Sequence, residues 1–249
     1  MIYLKDERWR TLPVSAKLMA GRLETAFGLR TTAPQHLKQG ELHLSGRGQY
    51  AGALKRLFDI MGAVLAILFL LPLLLMVAAS IRLETPGPIF FSQLRFGEGG
   101  RMFYIWKFRS MHADRGDATG AQRTTAWDSR VTRIGRLIRR TSIDELPQLV
   151  NVLVGDMSLV GPRPHATHMQ VEGVLFHELV PQYHLRHTVR PGITGWAQIN
   201  GSRGEVDTAE KAFHRVALDL WYVSHWSILT DLRILFLTVS GGFLSRRAD

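Results

Sequence analysis

The stretch IMGAVLAILFLLPLLLMVAASI, residues 60 to 81, decides the architecture: it holds no charge, and only Gly62, Pro72 and Ser80 relieve its apolar character. An apolar run of about 20 residues is long enough to enter a bilayer as a helix. Two features argue against a single crossing. Pro72 sits near the middle, where it removes a backbone donor and kinks or breaks a helix. Lys55 and Arg56 precede the run and Arg82, Arg95 and Arg101 follow it, so both flanks prefer the cytoplasmic side. A helix that breaks at Pro72 and returns to the face it entered satisfies both. The run begins too far along the chain for a signal peptide, so the rest of the protein is expected to face the cytoplasm.

Outward from this run, residues 1–52 read as a basic extension. Val14, Leu18, Met19, Leu23 and Phe27 recur at helical spacing beside Lys17 and Arg22, the pattern of an amphipathic helix on a membrane surface. Ser45 to Gly52 reads as a flexible join. Residues 53–84 form the membrane element and 85–249 a single compact domain. After the turn forced by Thr85-Pro86-Gly87-Pro88, Ile89 to Gln93 and Met102 to Phe108 read as short strands. Arg133 to Arg139, Glu145 to Val154, Ala209 to Trp221 and Ile228 to Val239 read as helices, and Pro191 to Gly195 as a loop. Ile228, Leu229, Leu232, Leu235, Phe236 and Val239 form an apolar stripe suited to an interface. The fold class is therefore α/β, mainly helical: a cytoplasm-facing domain on a re-entrant membrane helix with interfacial amphipathic helices.

A formal net charge of +10 suits a chain that lies on anionic membrane lipid and handles phosphorylated substrates. The basic residues are dispersed and carry no nucleic-acid fold signature, so no nucleic-acid partner is expected. With no cysteine, a disulfide framework and thiol catalysis are excluded.

The chemistry is concentrated in Arg139-Arg140-Thr141-Ser142-Ile143-Asp144-Glu145-Leu146-Pro147 and in Gly161-Pro162-Arg163-Pro164-His165. Adjacent acids on a helix point about 100° apart, so Asp144 and Glu145 are expected to have separate jobs. One carboxylate can attack phosphorus; the other can hold a Mg²⁺ that bridges phosphate oxygens. Ser142 to Glu145 also has the form of a capping box, in which the Ser142 hydroxyl and the Glu145 side chain would cap each other's amides. Arg139 and Arg140 weigh for an anion site, because cations beside a helix N-terminus are unfavourable unless something negative binds there. Pro162 and Pro164 limit the conformations around Arg163, which presents a guanidinium to phosphate or base at low entropic cost. His165, His168, His177, His184 and His187 lack a metalloprotease pattern and, His165 apart, read as solvated or loop residues.

In order, KRLFDIMGAVLAILFLLPLLL, FFSQLRFG, KFRSM, SIDELPQLVNVLVGDMSLVGPRPHA, VRPGITGWAQINGSRGE and LDLWYVSHWSILTDLRILFLT resemble the bacterial sugar transferase family. These are monotopic phosphoglycosyl transferases that start glycan assembly on polyprenyl phosphate. The resemblance covers roughly Leu54 to Thr238. It implies that Asp144 attacks the sugar-bearing phosphate of a UDP-sugar and releases UMP, that Glu145 is the Mg²⁺ ligand, and that undecaprenyl phosphate then takes the sugar phosphate. Lys107, Arg109, Arg139 and Arg163 match positions near the substrate. PRPHA with GITGWAQINGSRGE resembles the branch that uses UDP-glucose, which implies that His165, Arg203, Gly204 and Glu205 help read the sugar. UDP-galactose and UDP-N-acetylhexosamines stand as alternatives. The expected location is the cytoplasmic face of the inner membrane, with room for a homodimer. Larger members of that branch carry several transmembrane helices ahead of the re-entrant one, and residues 1–48 hold no comparable run. Ser202 stands where many relatives have tryptophan, and Leu71 precedes Pro72 where small members often have serine.

Overall fold

A computed structural model describes residues 49–114 and 128–244. The expected amphipathic helix over residues 14 to 27 lies outside them. The first element, α1, is one continuous helix from Gln49 to Glu84 with Pro72 inside it. This corrects the expected helix-break-helix in one respect: the chain keeps helical geometry through the proline. Losing one amide donor can bend a helix without ending it. It also places Gly52 in a helix rather than in a flexible join.

The apolar surface of α1 is largely bare, with 11% of its apolar window buried. What is buried falls in two patches either side of Pro72. Ala63, with Phe58, Ala66 and Ile67, packs with Leu149, Val152 and Leu159. Gly62 leaves room for the Leu159 side chain there, since a Cβ would stand 2.6 Å from Leu159 Cδ1 and that methyl would have to shift. Beyond the proline, Val77 and Ile81, with Leu73, Leu74 and Ala78, pack with Phe108 and Ile138.

Both ends of α1 are bonded to the same domain. Near its start Arg56 donates to the Val152 and Leu153 carbonyls at 2.5 and 2.7 Å, and Lys55 pairs with Asp231 at 2.8 Å. At its end Glu84 accepts from the Arg133 amide at 2.7 Å.

Strands β1 (Phe90–Phe96) and β2 (Met102–Phe108) pair antiparallel, Phe90 opposite Phe108 and Phe96 opposite Met102. Helix α2 (Arg133–Arg140) starts at Thr132, whose hydroxyl accepts from the Gly135 amide. A single 3-10 turn, Ile143–Glu145, then leads through Pro147 into α3 (Gln148–Val154), which ends at Gly155 with φ 100°. The Asn151 amide joins α3 to the β2 edge, accepting from Trp106 N at 3.0 Å and donating to Tyr104 O at 2.8 Å.

The expected loop at Pro191 to Gly195 contains a strand. Here β3 (Ser158–Val160) pairs in parallel with a three-residue segment, Gly192–Thr194. Glycine read as a turn signal serves close backbone approach instead: a Cβ on Gly192 would lie 2.0 Å from the Gly161 nitrogen. Between these segments come β4 (Gln170–Val171), β5 (Val174–Leu175) and the short helix α4 (Phe176–Leu179). Gly192–Thr194 is β6, followed by α5 (Trp196–Ile199), α6 (Ala209–Ser224) and α7 (Ile228–Leu244). The architecture is mixed α/β and mostly helical. One core cluster gathers Ala212, Phe213, Val216 and Leu220 of α6 around Phe176 and Tyr183.

Candidate active site

The capping box does not form. Ser142 takes a left-handed conformation, φ 56°, and makes no side-chain cap. Its hydroxyl instead accepts from Arg203 Nη2 at 2.9 Å, which brings the loop at residue 203 to the acid pair. The Glu145 side chain turns away from Ser142. It takes Lys107 Nζ at 2.7 Å on Oε1 and Arg163 Nη1 at 2.8 Å on Oε2, and Arg163 Nη2 also bonds Oε1. Lys107 reaches it because residues 103, 105 and 107 alternate onto the inner side of β2. Arg163 reaches it because its loop is tied at Gly161 N to Thr194 O, 2.9 Å, and at Pro162 O to Gly192 N, 3.0 Å. Burial alone would raise the Glu145 pKa, but Arg163 and Lys107 outweigh it and hold the carboxyl well below its usual range.

Asp144 has a different environment. It is 8% exposed, and among the described residues none hydrogen-bonds its carboxylate. Burial, helped by the Glu145 charge, raises its pKa against the opposing pull of Lys107, Arg139 and Arg163. The two neighbours are thus separated chemically: Glu145 is a firmly ionised, clamped anion, and Asp144 an under-stabilised one with unbonded oxygens. Arg139 lies exposed on the last turn of α2.

Two expected site residues stand elsewhere. Arg109 is 5% exposed and donates to Pro86 O at 2.7 Å, Thr85 O at 2.8 Å and Thr85 Oγ1 at 2.9 Å. It ties down the end of α1 and does not face the acids. β2 ends at Phe108, so the alternation that aims Lys107 inward no longer governs Arg109.

His165 is buried at 3% exposure, stacked on Phe176 with ring centroids 4.6 Å apart. Its Nδ1 lies 2.9 Å from Arg186 Nη1 and 3.2 Å from the Tyr183 hydroxyl. Arginine only donates, so Nδ1 is the acceptor and the ring proton sits on Nε2. Burial, then the charge of Arg186, pushes its pKa well below the usual histidine value. From here it packs beneath the loop that carries Arg163, bonded to Arg186, which also holds the Arg163 carbonyl. Of the histidines expected to be solvated, His168, His177 and His184 are exposed. His187 is not, and stacks on Phe96 at 5.6 Å.

The residues that hold this loop went unread in the sequence. Arg186, 1% exposed, donates to Asp219 Oδ2 through Nε at 3.0 Å and Nη2 at 2.6 Å, and to the Arg163 carbonyl at 2.6 Å. Arg215 donates to Ser202 Oγ at 3.0 Å and to Gly204 O at 2.6 Å, and so steadies the loop that bears Arg203. Ser202, at the position where a tryptophan was noted as usual, is thus a bonded part of that loop. One signal was available. Asp219 lies between Val216, Leu220 and Val223 on the apolar stripe of α6, and a carboxylate there demands a buried cation.

For Mg²⁺ the donors are sparse, with no cluster of three His, Asp or Glu among the described residues. Mg²⁺ is commonly held by one or two carboxylates plus substrate phosphates. Glu145 Oε2 accepts a single bond and keeps a lone-pair site, so the acid pair fits the ion in company with a phosphate.

An apolar helix long enough to cross a membrane is thus joined at both ends to an α/β domain that carries a cation-clamped acid pair. The family model described as bacterial sugar transferase matches residues 50–245, and the chain belongs to that family. It is 55% identical over 194 residues to the undecaprenyl-phosphate glucose phosphotransferase of Komagataeibacter xylinus, covering 78% of this chain and 36% of that one. It is 52% identical over 186 residues to the exopolysaccharide production protein PSS of Rhizobium leguminosarum bv. phaseoli, covering 75% and 93%. It is 49% identical over 195 residues to the UDP-glucose:undecaprenyl-phosphate glucose-1-phosphate transferase of Escherichia coli K12, covering 78% and 41%. The match spans well under half of the Komagataeibacter and Escherichia proteins and nearly all of the Rhizobium one.

Proposed function

We propose that this protein transfers glucose 1-phosphate from UDP-glucose to undecaprenyl phosphate and so begins assembly of an exopolysaccharide. The observation that carries the reading is the pairing of an unbonded, buried Asp144 with a Glu145 held by Lys107 and Arg163. The names of the Komagataeibacter and Escherichia relatives supply the sugar and the lipid.

In the first half-reaction an Asp144 oxygen attacks the sugar-bearing phosphorus. The bond from that phosphorus to the bridging oxygen breaks, UMP leaves, and a glucosyl-phosphoryl aspartate remains. In the second, a phosphate oxygen of the lipid attacks the same phosphorus and returns the Asp144 carboxylate. The raised pKa of Asp144 means that its charge is poorly stabilised where it stands, which favours attack once it is ionised. Lys107 and Arg163 fix Glu145 beside it, and Arg139 and Arg203 offer cations for the developing phosphate charge. Mg²⁺ held by Glu145 and substrate phosphates would supply Lewis-acid polarisation of the phosphoryl oxygens.

The membrane side of the proposal is a monotopic arrangement on the cytoplasmic face. Support comes from the bonds at both ends of α1: a folded domain that grips Arg56 and Glu84 at once cannot lie on two sides of a hydrocarbon layer about 30 Å thick.

The test is UMP release with undecaprenyl phosphate across UDP-glucose, UDP-galactose, UDP-N-acetylglucosamine and UDP-N-acetylgalactosamine. UDP-glucose should be used best. A clear preference for another sugar moves the assignment within the family. Absence of UMP release from all four, with steeply salt-dependent binding to anionic vesicles, would turn the reading toward a non-catalytic basic membrane protein.

A further inference from the structure

The outward face of the β1–β2 hairpin is apolar and bare. Along β2 the side chains alternate. Phe103 and Ile105 are buried in the core and Lys107 meets Glu145, while Tyr104 and Trp106 point away at 60% and 43% exposure. Trp106 meets Phe90 edge-on, centroids 6.2 Å apart, and Phe90, itself 45% exposed, stacks on Phe108 at 5.4 Å. On the other side of Trp106, α3 presents Val150 and Val154, both exposed.

This patch runs into α1 at two places. Phe108 follows Tyr104 and Trp106 in the same alternation and is covered by Val77 and Ile81 of α1. Val154 belongs to the helix whose Val152 and Leu153 carbonyls hold Arg56, near the start of α1. The bare aromatic face therefore lies between the two attachments of a helix whose own apolar surface needs lipid.

We propose that this hairpin face, with Val150 and Val154, beds in the boundary between lipid head groups and acyl chains of the same bilayer that takes α1. Continuity with α1 selects the occupant, and the composition agrees: tyrosine and tryptophan present an apolar body with one polar edge and gather at that depth. Lys107 on the inner side is the next residue along β2 from Trp106. Lipid contact at Trp106 thus fixes the acid pair about one strand thickness from the head groups, at the height of a lipid-borne phosphate. The proposal rests on the membrane reading of α1 given above.

The chain holds no cysteine, so single cysteines at Tyr104, at Phe69 in the bare part of α1, and at Lys211 on the exposed side of α6 can each carry an environment-sensitive fluorophore. The full-length protein is placed in phosphatidylethanolamine–phosphatidylglycerol vesicles containing a spin-labelled lipid, with iodide as the aqueous quencher. The label at 104 should be quenched by lipid several-fold more than that at 211, approaching the label at 69, and should resist iodide. If 69 is quenched by lipid but 104 answers to iodide, the hairpin faces water and the proposal falls while α1 stays in the membrane. If 104 answers to neither quencher, protein covers it, either a second copy or residues 1–48, and the proposal falls equally. If 69 escapes lipid quenching, the membrane reading of α1 falls and this one with it.

Discussion

Substituting Arg186 alone and together with Asp219 separates holding the fold from holding the site. Arg186→Met leaves Asp219, 1% exposed, without its cation, and breaking a buried pair on one side costs about 3–5 kcal/mol. Against the roughly 5–15 kcal/mol that stabilises a domain, that predicts a severely destabilised protein. Adding Asp219→Val removes the orphaned charge, and replacing a buried pair by apolar side chains of similar summed volume is often close to neutral. The double variant should recover most of the stability lost by Arg186→Met, falling short of the native protein by about the 1.5–3 kcal/mol of the bond that Arg186 makes to the Arg163 carbonyl. Function should not return with it. The bond from Arg186 Nη2 to the Arg163 carbonyl is charge-assisted, worth about 1.5–3 kcal/mol, and nothing in the double variant replaces it. Loss of that tether loosens Arg163 and, through it, Glu145. It should lower kcat/KM for UDP-glucose about 10- to 100-fold in a protein that is still folded and far more stable than Arg186→Met. Thermal unfolding and UMP release, measured on one preparation, decide it. If the double variant regains both native stability and native kcat/KM, Arg186 is a purely structural residue and the positioning argument is wrong.

Other consequences are equally direct. Asp144→Asn should abolish labelling by radioactive UDP-glucose in the absence of lipid acceptor, and equal labelling of variant and native chain would refute the covalent step. Because the Asp144 pKa is raised in the folded state, its stabilising contribution is present at low pH and fades as pH rises through the raised value. Asp144→Asn should therefore unfold no earlier than the native protein at neutral pH, and a marked drop in Tm would contradict the burial argument. Glu145 is shifted the other way, so its contribution is present above its usual range and lost as pH falls through the depressed value. Glu145→Gln should destabilise by roughly 2 kcal/mol, allowing for partial exposure of the clamp, and should raise the Mg²⁺ requirement. Normal activity at normal Mg²⁺ would remove Glu145 from the site. Cysteines at Gly52 and at Leu83 should react with an impermeant reagent only from the cytoplasmic side, and Pro72→Ala should lower activity by straightening α1. Reaction of one position from outside would replace the monotopic arrangement by a span.

Periodicity made the long elements legible. The apolar run, the two alternating strands and the helices at residues 133, 209 and 228 each carry many side chains in one pattern. What failed was short or non-local. A three-residue parallel strand at Gly192 offers too few residues for any period, and its glycines look the same whether they serve a turn or a close approach. The acid pair and Arg163 sit in contiguous motifs, and Lys107 entered through the resemblance of KFRSM; that strand alternation turns Lys107 onto Glu145 is seen only in the fold. Arg186 and Asp219 are 33 positions apart, and only a fold brings them together. Arg109 came in with Lys107 in KFRSM, and His165 through the resemblance of PRPHA. Residues two apart share a face on a regular strand, but β2 stops at Phe108 and a proline-bounded loop has no such alternation, so neither pair keeps one direction.

The arrangement also explains why two adjacent acids need such different surroundings. If both were clamped like Glu145, neither would attack phosphorus readily, since an anion held by two cations is a poor nucleophile. If both were bare like Asp144, burial would keep each partly protonated and the site would offer nothing for a metal or for orientation. Placing the hydrogen bonds of Lys107 and Arg163 on Glu145 alone commits those cations to the residue that must stay put, and it leaves Asp144 with only the through-space pull of Lys107, Arg139 and Arg163 against its burial. In the proposed reaction the attack then moves negative charge from a buried carboxylate to phosphoryl oxygens nearer the exposed Arg139 and Arg203. The charge leaves a place where burial penalises it for one where guanidinium groups can offset it, and that difference favours the transition state over the empty site.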